Sequence, residues 1–565
     1  ETIAATLRSQ ALRGDAVHVV WEYTREGHSQ TITYQLRLKG KTLQIDASSE
    51  QRNLSRWRFG HAQGVRDPKV IEVPFMLYCP NVLLTHGLFV TYYSDWYVSN
   101  VSMLPYGGDA IIEDDAVWYN WRRDQSFAYH PRTDGQRHPF RERFYITASN
   151  TIDDVMLSVR NPPSPVKNTL KTRLYRMILA SAPGIFRKTR ALVDQYNTYG
   201  MTDAYVLFHA PLWFRRQAGS EAFCGGMNVS MLHEPEGGDR GLIDLFAHMK
   251  AMGIAPGYYD GYPARDYPDP EFRYDWCAYT PEGDWKRMWR CAGLKPWAFP
   301  ELAATLYKKR ARKFGTRVSY QDGMTSWIIS GMSEYDHRFP ESGTIRGTLQ
   351  ALATGWQRCR ENVNGPVFSE GRGSDFFHAG LNDGDYSKLK GYWDANDCAQ
   401  DRAQLFVDFR LRKLGPLSAP LSVNIGYAGF AGTNKIHFES WYSREESYRY
   451  LHHFLAAEMA FAAIGMLEPY WPIWDNPAMH FDKTMTSYFM IRQLQERYVM
   501  EPVAAIRYFD GASLLNTSDA LRADVVKENR VHIRYNNGLH LWVNLNWDGK
   551  HWQVRDGKQT HELPP

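Results

Sequence analysis

Two short apolar runs, each closed by a carboxylate, set the pattern of the middle of the chain. They are Arg317-Val-Ser-Tyr-Gln-Asp322-Gly and Gly365-Pro-Val-Phe-Ser-Glu370-Gly. Between them Thr344 to Asn362 carries apolar positions at helical spacing. Strand, long crossover, strand is the unit of a parallel sheet. The same alternation extends both ways. Ala204–His209 reads as a buried strand, and Ala255–Gly261, Leu421–Tyr427 and Met466–Tyr470 read as further strands. Leu242–Met252 and Leu302–Phe314 read as amphipathic helices, each closed by a glycine. Further helices are expected around Leu170–Ala180, Arg187–Gln195, Asp397–Lys413, Ser447–Ile464 and Asp482–Tyr498. Repeated βα order predicts an α/β fold. No nucleotide-type glycine loop follows the first strand, so the expectation is a (β/α)8-type TIM barrel rather than an open sheet, with about six units legible.

The flanks differ. His18–Tyr23, Thr31–Leu38 and Lys41–Asp46 alternate apolar with polar, and Val82–Tyr97 and Phe144–Ala148 continue as strand candidates. This predicts an N-terminal β-sandwich over residues 1–165, read as a packing domain in preference to a carbohydrate-binding module. Asn161-Pro-Pro-Ser-Pro marks its end. The barrel then occupies 166–500. From about 502 the β pattern returns, with a hairpin of Val531–Tyr535 and His540–Asn546 around an Asn-Gly turn. A small C-terminal β domain, 501–565, is expected.

Composition narrows the function. A net charge of +4 with no basic run argues against nucleic acid, and no apolar stretch is long enough to span a membrane. Aromatic content of 14%, with 19 Trp and 34 Tyr, supplies many flat faces on which sugar rings stack, although most must be core. The six cysteines form no zinc pattern. Cys277 and Cys291 are close enough to bridge a loop. The chain starts at Glu1, and a secreted or periplasmic location is expected. No cofactor is called for. The Asn382-Asp383-Gly384-Asp385 cluster has a calcium-like look but lacks EF-hand spacing, so it reads as a solvated turn.

Chemistry in a parallel sheet gathers at the carboxyl ends of the strands. Asp322 and Glu370 fall there, and paired acids on one rim are the equipment of a glycoside hydrolase. Asp322 is read as nucleophile, kept ionised by donors such as Tyr320 and Gln321. Glu370 is read as acid/base, its pKa raised by apolar neighbours such as Phe368. Asp260, Asp383, Asp385 and Glu439 are competing acids or ligands for sugar hydroxyls. Trp213, Arg215, Tyr259, Tyr262, Arg372, His378, Trp441, Trp471 and Trp474 complete the expected substrate contacts. Arginines 215, 216, 265 and 372 lean the substrate toward a sulfated or uronate glycan.

Taken in order, Cys291-Ala-Gly-Leu-Lys-Pro, Tyr320-Gln-Asp322, Gly365-Pro-Val-Phe-Ser-Glu370-Gly and Ala379-Gly-Leu-Asn-Asp-Gly-Asp-Tyr resemble the endo-α-N-acetylgalactosaminidase family over roughly residues 200–500. The resemblance implies a β-sandwich, a (β/α) barrel and a trailing β domain, with an Asp nucleophile and a Glu acid/base mapping onto Asp322 and Glu370. The expected function is a retaining α-glycosidase. An inverting hydrolase on the same acids, and a non-catalytic glycan binder on a degenerate barrel, remain alternatives. Oligomeric state stays open.

Overall fold

The computed structural model describes residues 3–58, 63–71, 82–104, 111–113, 116–118, 126–156, 164–179, 184–209, 237–261, 264–265, 273–288, 291–321, 323–324, 334–370, 381–386, 481–499, 501–544, 552–556 and 559–563, with isolated positions between 445 and 467. The chain divides into two compact units. One comprises Glu1–Leu157, Arg273–Phe299 and Ser326–Ala353; the other comprises Ser158–Phe272, Pro300–Thr325 and Thr354–Pro565.

The first unit is built on an eight-stranded antiparallel sheet. Its strands are β1 (Ala4–Arg13), β2 (Ala16–Arg25), β3 (His28–Lys39), β4 (Thr42–Ser49), β5 (Lys69–Ile71), β6 (Val82–Thr85), β7 (Leu88–Ser94) and β8 (Phe140–Ser149). Their order is β1-β2-β3-β4-β8-β7-β6-β5. The alternation read at His18, Thr31 and Lys41 is that of β2, β3 and β4. Trp57 stacks on Phe144 of β8 at 4.7 Å, with Phe127 edge-on to the same ring. Also on β8, Glu142 is 1% exposed and accepts a hydrogen bond from Tyr129 Oη at 3.0 Å. Burial raises its carboxyl to a pKa of about 8.

The second unit carries a six-stranded parallel sheet in chain order. It comprises β9 (Leu174–Leu179), β10 (Ala204–His209), β11 (Ala255–Gly261), β12 (Val318–Gln321), β13 (Val367–Glu370) and β14 (Gly384–Tyr386). Helix α1 (Lys167–Thr172) precedes β9, and α2 (Ile185–Thr198), α3 (Gly238–Ala251), α4 (Lys308–Phe314), α5 (Ile345–Val363, in this unit from Thr354 on) and α6 (Phe481–Tyr498) lie between or after the strands.

Strand alternation gives this sheet two faces. Phe208 and Tyr258 turn to the helices, meeting Phe186 of α2, Phe246 of α3 and Phe314 of α4. Tyr175, Tyr205, Tyr259, Tyr320 and Phe368 line the other face. There Phe368 of β13 meets Tyr175 of β9 edge-on at 5.2 Å and Tyr205 of β10 at 5.7 Å. Four strand spacings separate β9 from β13, about 19 Å in a flat sheet. The sheet is therefore strongly curled around this aromatic face. Gly257 allows the tight lateral packing, since a Cβ there would collide with the Val318 carbonyl and with Leu207.

The outer edge of β9 is not bare. Tyr175 donates its N–H to the Gly465 carbonyl at 2.9 Å and accepts from the Leu467 N–H at 2.8 Å, the two-bond pattern of a parallel neighbour. Gln495 of α6, fully buried, holds the same corner. Its side chain accepts from Gly465 N at 2.8 Å and donates to the carbonyls of Leu170 and Arg173.

One sequence expectation is corrected here. Leu170–Ala180 is not one helix: α1 stops at Thr172 and β9 starts at Leu174. A six-residue run, Leu-Tyr-Arg-Met-Ile-Leu, is too short for its period to separate helix from strand. Pairing with β10 decides the matter.

The closing part of this unit is antiparallel. Strands β15 (Val503–Phe509), β16 (Leu514–Asn516), β17 (Arg530–Tyr535) and β18 (His540–Asn544) form one sheet, ordered β16-β15-β17-β18, and β19 (Trp552–Asp556) pairs with β20 (Gln559–Leu563). The expected hairpin is present, with Gly538 at φ +81° in its turn. Phe509 of β15 and Val554 of β19 form a buried cluster against which Leu514, Trp542 and Leu563 pack.

Candidate active site

The site is defined by the carboxyl ends of β12 and β13. These strands pair in parallel, with Ser319 opposite Val367, Tyr320 opposite Phe368 and Gln321 opposite Ser369. The Ser369 hydroxyl donates to the Gln321 carbonyl at 3.0 Å and ties the two ends together. Gln321 and Ser369 are both buried. Glu370 is the last residue of β13 and pairs with Tyr386 of β14. Asp322 follows Gln321 in the chain and lies outside the described residues. Gly323 adopts φ +65°, a left-handed turn that glycine takes without strain.

Tyr320 and Phe368 belong to the concave aromatic face, where Tyr259 meets Tyr320 at 5.8 Å. Gln321 shares the opposite side of the strand with Ser319, whose Oγ accepts from its Nε2 at 2.7 Å. The Gln321 Oε1 is buried and has no hydrogen-bond partner among the described residues.

Two of the competing acids are engaged by arginines. Asp260 sits at an irregularity of β11, between Tyr259 and Gly261 in the register with β12. It is 3% exposed and accepts from Arg310 of α4 at 3.2 Å, on the helix side of the sheet. Arg310 itself is fully buried. Asp383 is also fully buried, Asn382 is buried beside it, and Gly384 opens β14, so the Asn382–Asp385 stretch is not the solvated turn expected from its composition. The Asp383 carboxylate takes Arg360 through Nε at 2.8 Å and through the terminal nitrogen at 2.9 Å, the Ser164 hydroxyl at 2.6 Å and the Val367 N–H at 2.8 Å. Val367 begins β13, so these bonds lie at the amino end of the sheet, the rim opposite the candidate acids. Asp385 pairs with Ser369 through the backbone of β14. Trp213, Arg215, Tyr262, Arg372, His378, Glu439, Trp441, Trp471 and Trp474 lie outside the described residues.

Sequence reading did not single out the buried Asp260–Arg310 pair or the Arg360–Asp383 clamp. The signal available was an arginine inside each amphipathic helix, which ordinarily marks a solvated face. Among the described residues no group of three or more His, Cys, Asp or Glu has metal-binding geometry. Cys277 is a buried free thiol and Cys291 is disulfide-bonded, so the 277–291 bridge that the spacing allowed does not form.

A curled parallel sheet in chain order, with Asp322 next in sequence after β12 and Glu370 closing β13, is an arrangement shared with barrel-like α/β proteins. Compared with protein families and with curated proteins, the sequence has no match. Among solved structures, the chain resembles the α-N-acetylgalactosaminidase NagBb from Bifidobacterium bifidum in complex with GalNAc. That likeness has a TM-score of 0.63 at 11% identity and covers 96% of this chain and 90% of that one. The ligand-free form of the same protein gives a TM-score of 0.56 over the same coverage. At this identity the likeness is one of fold.

Proposed function

We propose that this protein is a retaining glycoside hydrolase that cleaves an α-glycosidic bond, with Asp322 as nucleophile and Glu370 as acid/base. The observation that carries the reading is the register of Gln321 against Ser369. Gln321 precedes Asp322 and Ser369 precedes Glu370, so this register supports adjacent origins for the two acids at the carboxyl rim. Retaining enzymes hold their carboxyls about 5–5.5 Å apart, the span between neighbouring strands. Asp322 attacks the anomeric carbon while Glu370 protonates the departing oxygen. Glu370 then takes a proton from water as that water releases the sugar from Asp322. The step needs no metal or cofactor.

The curl of the sheet and the neighbour on β9 support a closed (β/α)8 barrel over 166–500, with 1–165 and 501–565 as flanking β domains. The fold likeness to an α-N-acetylgalactosaminidase makes α-linked N-acetylgalactosamine the first sugar to test. The bonded Cys291 supports an oxidising, secreted or periplasmic setting.

The test is hydrolysis of aryl α-N-acetylgalactosaminide and aryl α-galactoside, with the product anomer read by NMR. Asp322→Asn and Glu370→Gln should each lower kcat by about 10²–10⁴-fold with the fold intact. Azide should rescue Glu370→Ala as an α-azide, with retained configuration, and Asp322→Gly as a β-azide, with inverted configuration. Full activity in either carboxamide variant overturns the assignment, and an inverted product transfers the acids to the inverting mechanism.

A further inference from the structure

The geometry points to a second carbohydrate-binding site, a stacking platform for a neutral glycan chain formed by Tyr274 and Trp285. Both residues belong to Arg273–Phe299 of the first unit. Trp285 is 42% exposed, the one exposed tryptophan among the described residues, and Tyr274 is 57% exposed. Their rings stack on each other, centroids 5.2 Å apart and planes within 25°. Two large rings that stack on each other and keep this exposure present an apolar strip of ring faces and edges to water.

The backbone presents this strip in a fixed shape. Trp285 pairs with Tyr279 across a tight turn, with Gly283 at φ +90°. Thr280 N donates to the Asp284 carbonyl at 2.8 Å, and Lys286 N to the Ala278 carbonyl at 2.8 Å. Tyr274 opens a single helical turn, Tyr274–Trp276, that runs into Cys277, itself paired with Leu294. Next to it Arg273 lies over the Trp276 ring at 4.9 Å and donates from Nε to Asp275 at 3.0 Å. A platform fixed before binding loses little freedom when a ligand settles.

The rim identifies the occupant. Residues 273–288 carry three basic and three acidic side chains, Arg273, Lys286, Arg287, Asp275, Glu282 and Asp284, so the segment that bears both rings has no net charge. A sulfated chain finds no net positive field there. Two rings are too small an apolar area for a stable protein interface. A pyranose matches the arrangement: its C–H face lies on a ring, and its equatorial hydroxyls reach carboxylates and guanidinium at the edge. The choice of sugar as ligand rests on the hydrolase reading, but the site belongs to a different unit from the acids and is tested by binding rather than turnover.

The experiment is affinity electrophoresis of the full chain in native gels containing amylopectin, galactomannan or desialylated mucin, in an Asp322→Asn background that removes turnover. Retardation by at least one polymer is expected in the parent. Trp285→Ala and Tyr274→Ala should each weaken it about five- to tenfold, and Trp285→Phe should retain most of it. Circular dichroism checks the fold. If Trp285→Ala is misfolded, the more exposed Tyr274→Ala decides. Undiminished retardation in the alanine variants, absence of retardation of the parent on all three polymers, or self-association lost in Trp285→Ala overturns the proposal. In the active chain, kcat/KM on a small aryl glycoside should be unchanged by Trp285→Ala. Loss of hydrolysis with retention of polymer binding would therefore count against the acid pair and not against the platform.

Discussion

The ring of Phe368, on the fifth strand of the parallel sheet, stands perpendicular to that of Tyr175, on the first, with centroids 5.2 Å apart. Residues four strands apart touch only if the sheet wraps around them. Phe368 is thus a central support of the curvature as well as the neighbour of Ser369 and Glu370. Phe368→Ala should cost about 3–5 kcal/mol of stability by leaving a cavity. Urea unfolding followed by far-UV circular dichroism checks it, and a change within the ordinary surface range would mean that the ring supports nothing.

Asp260 and Arg310 form a pair with almost no exposure on either side. Removing one charge of such a pair leaves the other stranded, at a cost of about 3–5 kcal/mol. Asp260→Asn should accordingly lower the urea midpoint strongly. A sugar-contact role for Asp260 predicts the opposite pattern, a raised KM with an unmoved midpoint. Measuring both on the same preparation separates the two.

Glu142 gives a pH signature. Its folded pKa, about 8, lies above the ordinary value of 4.5 because burial disfavours the charged form. A raised folded pKa means that the stability contribution is complete below the unfolded pKa and disappears as pH climbs through the folded one. The melting temperature should fall between pH 5 and about pH 8–9, and Glu142→Gln should flatten that fall. Glu334, raised by burial to about 7, acts in the same direction and leaves a residual slope. Parallel melting curves for wild type and variant would remove Glu142 from the account.

Gln495 satisfies the Gly465 N–H and carbonyls at the end of α1 with one amide. Gln495→Ala should cost about 1–3 kcal/mol by stranding buried polar groups. Hydrogen exchange should show Gly465 and Leu467 amides losing protection first. Protection unchanged at those two positions would mean that water replaces the side chain at no cost.

Much of this was legible beforehand. Ala204–Phe208 and Ala255–Tyr259 carry continuous apolar runs because helices cover one face and the aromatic interior covers the other. Gly253 and Gly315 announce their helix ends through left-handed backbone, at φ +82° and +65°. Leu174–Leu179 was misread because a strand entered directly from a helix shows no punctuation. Arg310 and Arg360 were passed over for a related reason: helical spacing cannot tell an arginine facing water from one reaching under a sheet. The register of Gln321 with Ser369 depends on long-range pairing, which periodicity does not encode.

The attachment of Gln495 to the Arg173 carbonyl joins positions 322 residues apart. On the ribosome, at about 10 residues per second, the first parallel strand waits roughly half a minute for that partner to emerge. Throughout that interval its outer edge is an open hydrogen-bonding template. The nascent chain is therefore most exposed to misassembly late in synthesis, and a chaperone that shields strand edges would give its greatest benefit there.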